Sequence, residues 1–273
     1  MTICIAAGCL DNYRHRIVLC ADWRMTNAIG TLDVALKLRS LPKNFKCLTA
    51  GKDSEILSLV HLLRDDLQNV ASIDETNIKT IVDGVLSRRK KQKAEEYIQS
   101  RLAITYSDFI SFGKDKLPSD IFREMIFEIT KITIGAELII AGFAGNQTII
   151  IETTDEGTAH LRDDFAAVGS GAYLAQASLL ARGQNYGRPT DETIYCVYEA
   201  KKQSQNIKSV GESTYLLVLY DDGSAKEIKR SGQKILDDCV AKYGPQRVRE
   251  LPSTSVLFAE EPSTVPASEE SKP

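Results

Sequence analysis

The sequence predicts an α+β protein in which two antiparallel sheets pack face to face and helices cover their outer surfaces. Two observations lead to this fold class. Short apolar runs come in groups joined by tight turns, which is typical of antiparallel strands. Segments with helical spacing lie between these groups and do not alternate with single strands, which argues against a doubly wound parallel sheet. A chain of 273 residues, 43% of them hydrophobic, suffices for such a core.

The first fifty residues are predicted to form two β-hairpins. The apolar runs TICIAAGC and RIVLCAD flank the polar connection LDNYRH, and the runs DVALKLRSLP and FKCLTAG flank the turn PKN. The first strand starts directly behind the initiator methionine, so Thr2 stands at the start of a core strand. Because termini are usually loose, this position of a threonine needs an explanation.

A helical region is predicted next. One helix, capped by Asp53 or Ser54, carries apolar residues at helical spacing, and a second begins at about Glu75. A third has Pro118 in its first turn. The basic residues 88–93 are interpreted as a solvated helix face and not as a nucleic-acid patch, because acidic residues flank them and the net charge is −3.

Strands return with AELIIAGFAG, QTIIIETTDEG and TAHLRDDFAAVGSG, which we expect to form a meander. A small-residue helix ending at Gly183 and a helix starting at Pro189 and Thr190 follow. The last elements are a hairpin with the turn Asp-Asp-Gly and the helix GQKILDDCVAKYG. Residues 251–273, rich in Pro, Ser, Thr and Glu, are predicted to be a disordered tail.

Composition argues against several classes of function. The slightly acidic net charge gives no electrostatic reason to expect binding to nucleic acid or to an anionic membrane. The six cysteines form no CxxC pair and the three histidines are scattered, so we expect free, buried thiols, no metal and no cofactor. Neither a signal-peptide pattern nor a membrane-spanning run is present, which predicts a cytoplasmic protein.

Polar residues at the ends of strands are the candidates for chemistry. Thr2 begins the first strand, Asp22 follows the second, Lys37 interrupts a third, Gly51 ends a fourth before a helix, and Ser170 lies in the turn VGSG. Each alone has an ordinary explanation, such as β-propensity, a snorkelling edge lysine or a turn. Only their combination indicates a site.

The segments TICIAAG, IVLCADWRMT, KLRSL, CLTAGKDSEIL and FAAVGSGAYLAQASLLAR follow the order and approximate spacing of the proteasome β-subunit family. The chain resembles that family and its bacterial proteasome-like peptidases over residues 2–70 and 136–245. The resemblance implies an N-terminal nucleophile hydrolase with a four-layer αββα sandwich. Residues 1–250 would be a single domain, with a helical insertion around residues 75–130 that is longer than the family norm.

The resemblance also implies a threonine protease mechanism. After removal of Met1, the hydroxyl of Thr2 would be the nucleophile and its α-amine the base, since the pKa of such an amine is about 7.7–8.0. Lys37 would lie beside the hydroxyl, Asp22 would keep Lys37 charged, and the N–H of Gly51 would stabilise the oxyanion.

The remaining roles follow from the same resemblance. Ser170 would contact the α-amine, and Thr26, Thr49 and Lys52 would contact the substrate, with Thr26 on a strand that pairs with an extended peptide. The expected substrate is a peptide or an unfolded polypeptide, and the expected assembly is a homo-oligomeric ring. The identity of a regulator such as an ATPase stays open.

The sequence departs from the family pattern in three places. The hairpin loop between Thr2 and Asp22 is a few residues longer than usual. The stretch NIKSVGESTYLL supplies Ser209 and Ser213 but no aspartate behind the amine, so either Glu212 substitutes for it or this support is missing. Lys52 and Asp53 stand where the family prefers small residues, so the pocket is expected to be charged or partly blocked.

Two alternatives to the peptidase therefore stay open. One is a catalytically silent ring or scaffold subunit, because the fold survives without the nucleophile in proteasome α-like subunits. The other is a non-peptide amidase of the same hydrolase class, in which the chemistry at Thr2 would be shared.

Overall fold

Two five-stranded antiparallel sheets form the centre of the fold. The structure is a computed structural model that describes residues 2–26, 31–33 and 37–244. The strands are, in chain order, β1 (Cys4–Asp11), β2 (Arg14–Asp22), β3 (Arg24–Thr26), β4 (Thr31–Asp33), β5 (Leu38–Ser40), β6 (Lys46–Gly51), β7 (Ala136–Ala144), β8 (Gln147–Thr153), β9 (Ala159–Leu161), β10 (Phe165–Val168), β11 (Thr214–Tyr220) and β12 (Ala225–Glu227). One sheet has the order β10-β1-β2-β11-β12 and the other the order β5-β6-β7-β8-β9, while β3 and β4 pair separately.

Helices cover the outer face of each sheet. They are α1 (Asp53–Gln68), α2 (Glu75–Leu102), α3 (Tyr106–Lys116), α4 (Ser119–Thr130), α5 (Ala172–Ala181), α6 (Thr190–Ser204) and α7 (Arg230–Tyr243). Apolar residues of α1 and α2 pack on the β5–β9 sheet, and those of α5, α6 and α7 pack on the other sheet. The layers therefore run helix, sheet, sheet, helix, in agreement with the predicted fold class.

Strand alternation distributes the apolar residues among these layers. In β1, Cys4 and Ala6 face the opposite sheet, whereas Ile5 and Ala7 pack under the helices. Because both faces of each sheet are covered, the strands read as nearly continuous apolar runs. The longest helix, α2, is strongly polar, and no helix in the described ranges is long and apolar enough to cross a membrane.

Most predicted elements are present, and two details differ. The N-cap residue of α1 is Lys52, whose side chain makes no capping hydrogen bond. Asp53 lies in the first turn, where its negative charge interacts favourably with the positive end of the helix dipole. The run TAHLRDDFAAVGSG is not part of one meander, because the chain bends at Asp164 and β10 leaves to pair with β1. The carbonyl of Asp164 accepts the N–H of Gly8, which fixes this crossing between the sheets.

The helical region between β6 and β7 in the sequence has a small core of its own. Ile98, Phe109 and Met125, from α2, α3 and α4, form an apolar cluster separate from the three large ones. An insertion around residues 75–130 within a domain of residues 1–250 stays a prediction, and residues 251–273 lie outside the described residues. Cys4, Cys9, Cys20, Cys47 and Cys196 are buried free thiols, and Cys239 is half-buried.

The basic segment 88–93 is only in part the solvated face that was predicted: Arg88 and Lys91 are exposed, whereas Arg89 and Lys93 face α1. Arg89 is 9% exposed and forms a two-pronged ion pair with Glu55 of α1, at 2.8 and 3.2 Å. Lys93 lies 3.4 Å from the same carboxylate. The reason is that α1 presents an acidic residue to this segment, so the cations dock α2 on the body of the protein.

Arg89→Met should destabilise the protein by roughly 3 kcal/mol, because it leaves Glu55 short of a partner at a nearly buried position. Burial alone would raise the pKa of Glu55, but the hydrogen bonds and charges of Arg89 and Lys93 bring this pKa below its usual value. The wild-type contribution is therefore complete above the unfolded pKa of about 4.3 and is lost as the pH falls through the lower folded pKa.

Urea denaturation at pH 7 and at pH 3 measures this effect. Lys91→Met, an exposed site on the same helix, is the control and should change the free energy of unfolding by less than about 0.5 kcal/mol. Equal stabilities of the two variants at pH 7 would contradict the role assigned to Arg89.

Candidate active site

The carboxylate of Asp22, at the end of β2, is the centre of the site. It is 1% exposed. Its Oδ1 atom accepts the hydroxyl of Thr2 at 2.8 Å, the ammonium of Lys37 at 2.5 Å and the backbone N–H of Ile3 at 3.2 Å. A buried polar group requires such partners, and these come from the amino terminus and from the segment before β5, so the side chain of Asp22 joins both to the end of β2.

Lys37 lies immediately before β5 and is itself buried. Its backbone carbonyl accepts both the N–H of Thr49, at 3.0 Å, and the hydroxyl of Thr49, at 3.2 Å. Lys37 was expected directly beside the hydroxyl of Thr2; among the described residues its ammonium bonds Asp22, and the two groups are connected through the shared Oδ1 of that carboxylate. Strand β6 thus aims Lys37 at Asp22, and the predicted grouping of Thr2, Asp22 and Lys37 is present in the structure.

The second oxygen of Asp22 has a partner that the sequence did not suggest. Oδ2 accepts the backbone N–H of Gly211 at 2.8 Å, from the turn between α6 and β11. Glu212, the nearest acidic residue in this stretch, is exposed and contributes its carbonyl, not its carboxylate, to the packing of the turn. A backbone donor leaves no pattern in a sequence, which is why this contact could not be foreseen.

A pair of serines lies at the backbone nitrogen of Thr2. The N–H of Thr2 donates to the hydroxyl of Ser170 at 3.2 Å, and this hydroxyl is 3.1 Å from that of Ser209. Ser170 was predicted at this place, and Ser209 was noted beside it. Ser213 is exposed.

The turn containing Gly169 holds the backbone of Thr2 from the other side. Gly169 has φ +94°, and a Cβ atom there would lie 2.5 Å from the carbonyl oxygen of Thr2. The N–H of Gly171 donates to this same oxygen at 3.2 Å. Only glycine permits this approach, so the turn VGSG fixes the position of the threonine.

An open cleft of about 420 Å³ lies in front of Thr2. Gly51, at the end of β6, lines it together with Ser170. Gly51 has φ +120°, and a Cβ atom there would lie 2.5 Å from the carbonyl oxygen of Gly135, so this position requires glycine. The cleft places backbone, and little side-chain bulk, next to the hydroxyl of Thr2.

Two carboxylates line the same cleft. Glu137 accepts the N–H of Gly169 at 2.8 Å, and Asp155 accepts the N–H of Gly135 at 2.5 Å. Neither forms an ion pair with a described residue; both add negative charge to the lining of the cleft, while the exposed Lys52 lies at its rim. These residues lie far from Thr2 in the sequence, and no local pattern distinguishes them from surface acids.

The three residues predicted to contact substrate have different positions. Thr49 is buried beneath Lys37 and does not line the cleft. Lys52 is exposed and lies at the rim of the cleft. Its Cδ atom is 3.6 Å from the position that a Cβ atom would occupy if Gly135 were replaced by another residue. The backbone of Thr26 pairs with Thr31, whereas its side chain, like all of Met1, lies outside the described residues.

Comparison with known proteins gives a likeness of fold. No protein-family model matches the chain, and no curated protein matches its sequence. Among solved structures, the Gly-1 mutant of Anbu from Hyphomicrobium sp. strain MC1 is similar with a TM-score of 0.59 and 15% identity, over 89% of this chain and 95% of that one. Anbu is a bacterial proteasome-like protein, so this chain has a proteasome-like fold.

Gly169→Ala should destabilise the protein by roughly 3 kcal/mol or more, because the new Cβ both requires a left-handed backbone and collides with Thr2. Gly145→Ala is the matched control. Gly145 also has a positive φ, +59°, but a Cβ there meets no atom within 4 Å, so we expect a loss of about 1 kcal/mol. Chemical denaturation measures both losses, and equal values would show that the contact with Thr2 has no steric weight.

Proposed function

We propose that this protein is a threonine-type peptidase in which Thr2, freed of Met1, is the nucleophile. The observation that carries the proposal is the sharing of one buried oxygen, Asp22 Oδ1, between the hydroxyl of Thr2 and the ammonium of Lys37, at 2.8 and 2.5 Å, beside an open cleft. The proteasome-like fold supports the same assignment.

The reaction begins with the α-amine of Thr2, which takes the proton of the hydroxyl as Oγ1 attacks the carbonyl carbon of the substrate. The positive charge of Lys37 lowers the free energy of the developing alkoxide, and Asp22 compensates the buried charge of Lys37. The N–H of Gly51 would donate to the oxyanion of the tetrahedral intermediate.

Collapse of the intermediate transfers the proton from the α-ammonium to the leaving amine and leaves an ester on Thr2. Water then attacks this ester, its proton passes to the same amine, and release of the carboxylic acid restores the hydroxyl. Hydroxyls of Ser170 and Ser209 lie where they would orient the amine during both proton transfers. This serine pair takes the place of the missing aspartate.

Met1 acts as a block in this mechanism. While Met1 is attached, the nitrogen of Thr2 is an amide and cannot accept a proton, so Thr2 cannot act as its own base. The hydroxyl of Thr2 then donates to Asp22, as in the structure. Removal of Met1 supplies the base without moving the strand that carries it.

A silent ring or scaffold subunit is the competing hypothesis. Such a protein needs the fold but no particular arrangement of Thr2, Asp22 and Lys37, so the buried cluster favours the enzyme. A non-peptide amidase would use the same cluster and differ only in what the cleft admits. We propose a homo-oligomeric ring in the cytoplasm as the working assembly, with an unfolded polypeptide as substrate.

A peptide epoxyketone should label wild-type protein on Thr2 and fail to label Thr2→Ala, because adduct formation requires both the hydroxyl and the free α-amine. Thr2→Ser should keep measurable labelling, since it retains both groups. Intact mass before and after reaction reports removal of Met1 and addition of the label in one measurement.

Native mass spectrometry of the same samples measures the assembly. A ring that retains Met1 and takes no label would favour the scaffold hypothesis. A labelled protein that cleaves small amides but no peptide would favour the amidase.

Peptides with Lys or Arg before the scissile bond should be cleaved faster than those with Glu, since Glu137 and Asp155 face the cleft. We expect Glu137→Gln to reduce this preference by roughly tenfold, equivalent to about 1.4 kcal/mol. The glutamine oxygen can still accept the N–H of Gly169. Asp163→Asn, at an exposed carboxylate outside this cleft, should leave the ratio of kcat/KM values unchanged. A preference for acidic peptides would overturn this prediction.

A further inference from the structure

Helix α6 contains a fully buried lysine that the mechanism above does not use. The side chain of Lys201 is 0% exposed. Its ammonium donates to the backbone carbonyl of Glu212 at 2.5 Å and forms no ion pair within the part of the chain that the structure describes. A buried charge with a neutral partner is costly, so its presence needs an explanation.

The titratable groups that act on Lys201 come from four parts of the fold. They are Cys20 and Asp22 of β2, Lys202 of α6 itself, Glu212 in the turn before β11, and Asp237 of α7. Burial raises the pKa of Cys20 to about 12, so this thiol is neutral and does not compensate the ammonium. Burial, the largest cause, lowers the pKa of Lys201 to about 8. The carboxylate of Asp22 acts in the opposite direction, because it favours the charged lysine.

The hydrogen bond of Lys201 continues directly to the candidate active site. Glu212 follows Gly211, whose N–H donates to Oδ2 of Asp22 at 2.8 Å. The side chain of Gln205, also on the α6 side, donates to the carbonyls of Gly211 and Glu212 at 3.3 and 3.0 Å. Lys201 and Gln205 therefore bind the carbonyls of the turn at Gly211 and Glu212, and the N–H of Gly211 in the same turn donates to the carboxylate of Asp22.

We propose that Lys201 is a positioning residue for Asp22. Its ammonium fixes the turn of Gly211 and Glu212, so that Oδ2 of Asp22 is occupied and Oδ1 faces Thr2 and Lys37. Its positive charge also stabilises the ionised form of Asp22. This inference rests on the proposed function, because it assigns Lys201 a part in the chemistry of the same site.

The effect of Lys201 on stability distinguishes this role from a structural one. The folded pKa of about 8 is below the unfolded lysine value of about 10.4, so the unfolded chain binds more protons between these pH values. The contribution of Lys201 therefore becomes more favourable as the pH rises from 8 to 10.4, and the charged form opposes folding at pH 7. A residue selected for stability alone would be apolar here.

Lys201→Met tests the proposal. We expect the rate of epoxyketone labelling on Thr2 to fall on the order of 10- to 100-fold, since a small displacement of reacting groups has effects of this size. The denaturation midpoint at pH 7 should be unchanged or higher. Lys234→Met is the control, because Lys234 is an exposed lysine of α7 that is not among the groups acting on Lys201; it should keep the wild-type labelling rate.

Amide hydrogen exchange gives a readout that does not require activity. In Lys201→Met the amide of Gly211 should exchange faster, and in the wild type it should lose protection as the pH rises through about 8, beyond the ordinary base-catalysed increase at reference amides. Lys201→Arg keeps its charge above pH 8, so its labelling rate and its Gly211 protection should persist to higher pH than in the wild type.

The outcomes separate this inference from the proposed function. Equal labelling rates and pH profiles in Lys201→Met and wild type would overturn the positioning role, while the proposed function stands. Absence of labelling in the wild type would overturn the proposed function, and the exchange of Gly211 would still show whether Lys201 holds the turn. If Lys201→Met lost both stability and labelling, and Lys201→Arg restored neither, the positioning role would be overturned and Lys201 would be a packing residue.

Discussion

The buried carboxylate of Asp22 is the interaction on which the site depends. Its two oxygens accept four hydrogen bonds, from Thr2, Ile3, Lys37 and Gly211. These donors belong to the amino terminus, to the segment before β5 and to the turn after α6. The side chain of Asp22 therefore connects three segments that belong to different layers of the fold. If this carboxylate lost its charge, each donor would face a weaker acceptor in a place without water.

Positive charge is in excess around this carboxylate. Two buried ammonium groups, of Lys37 and Lys201, act on Asp22, one by a direct bond at 2.5 Å and the other from behind the turn that contains Gly211. An arrangement with two cations and one anion opposes folding more than an apolar core of the same size. Such an unfavourable contribution to the free energy of folding is typical of sites where charge is needed for chemistry. The apolar core of the four layers must offset it.

The sequence predicted the site through its strand ends. Thr2, Asp22 and Lys37 each begin, interrupt or end an apolar run, and their order along the chain resembles that of the proteasome β-subunit family. Lys201 and Gly211 gave no such signal, because a lysine on an amphipathic helix is usually exposed and a backbone donor has no sequence pattern. In the fold, Asp164 redirected β10 into the other sheet through a carbonyl contact with Gly8, which strand propensity cannot reveal.

The same reasoning bears on the missing aspartate behind the amine of Thr2. In a mechanism that relies on a neutral amine, a carboxylate at that place would favour the protonated form and raise the pKa of the amine. Here the neighbours are the hydroxyls of Ser170 and Ser209, which can accept or donate without changing the local charge. Negative charge is concentrated instead on Asp22, where it serves Lys37 and the hydroxyl. In the proposed mechanism, the departure from the family pattern therefore leaves the α-amine free to accept a proton, and Asp22 and Lys37 supply the charges on the opposite side of the threonine.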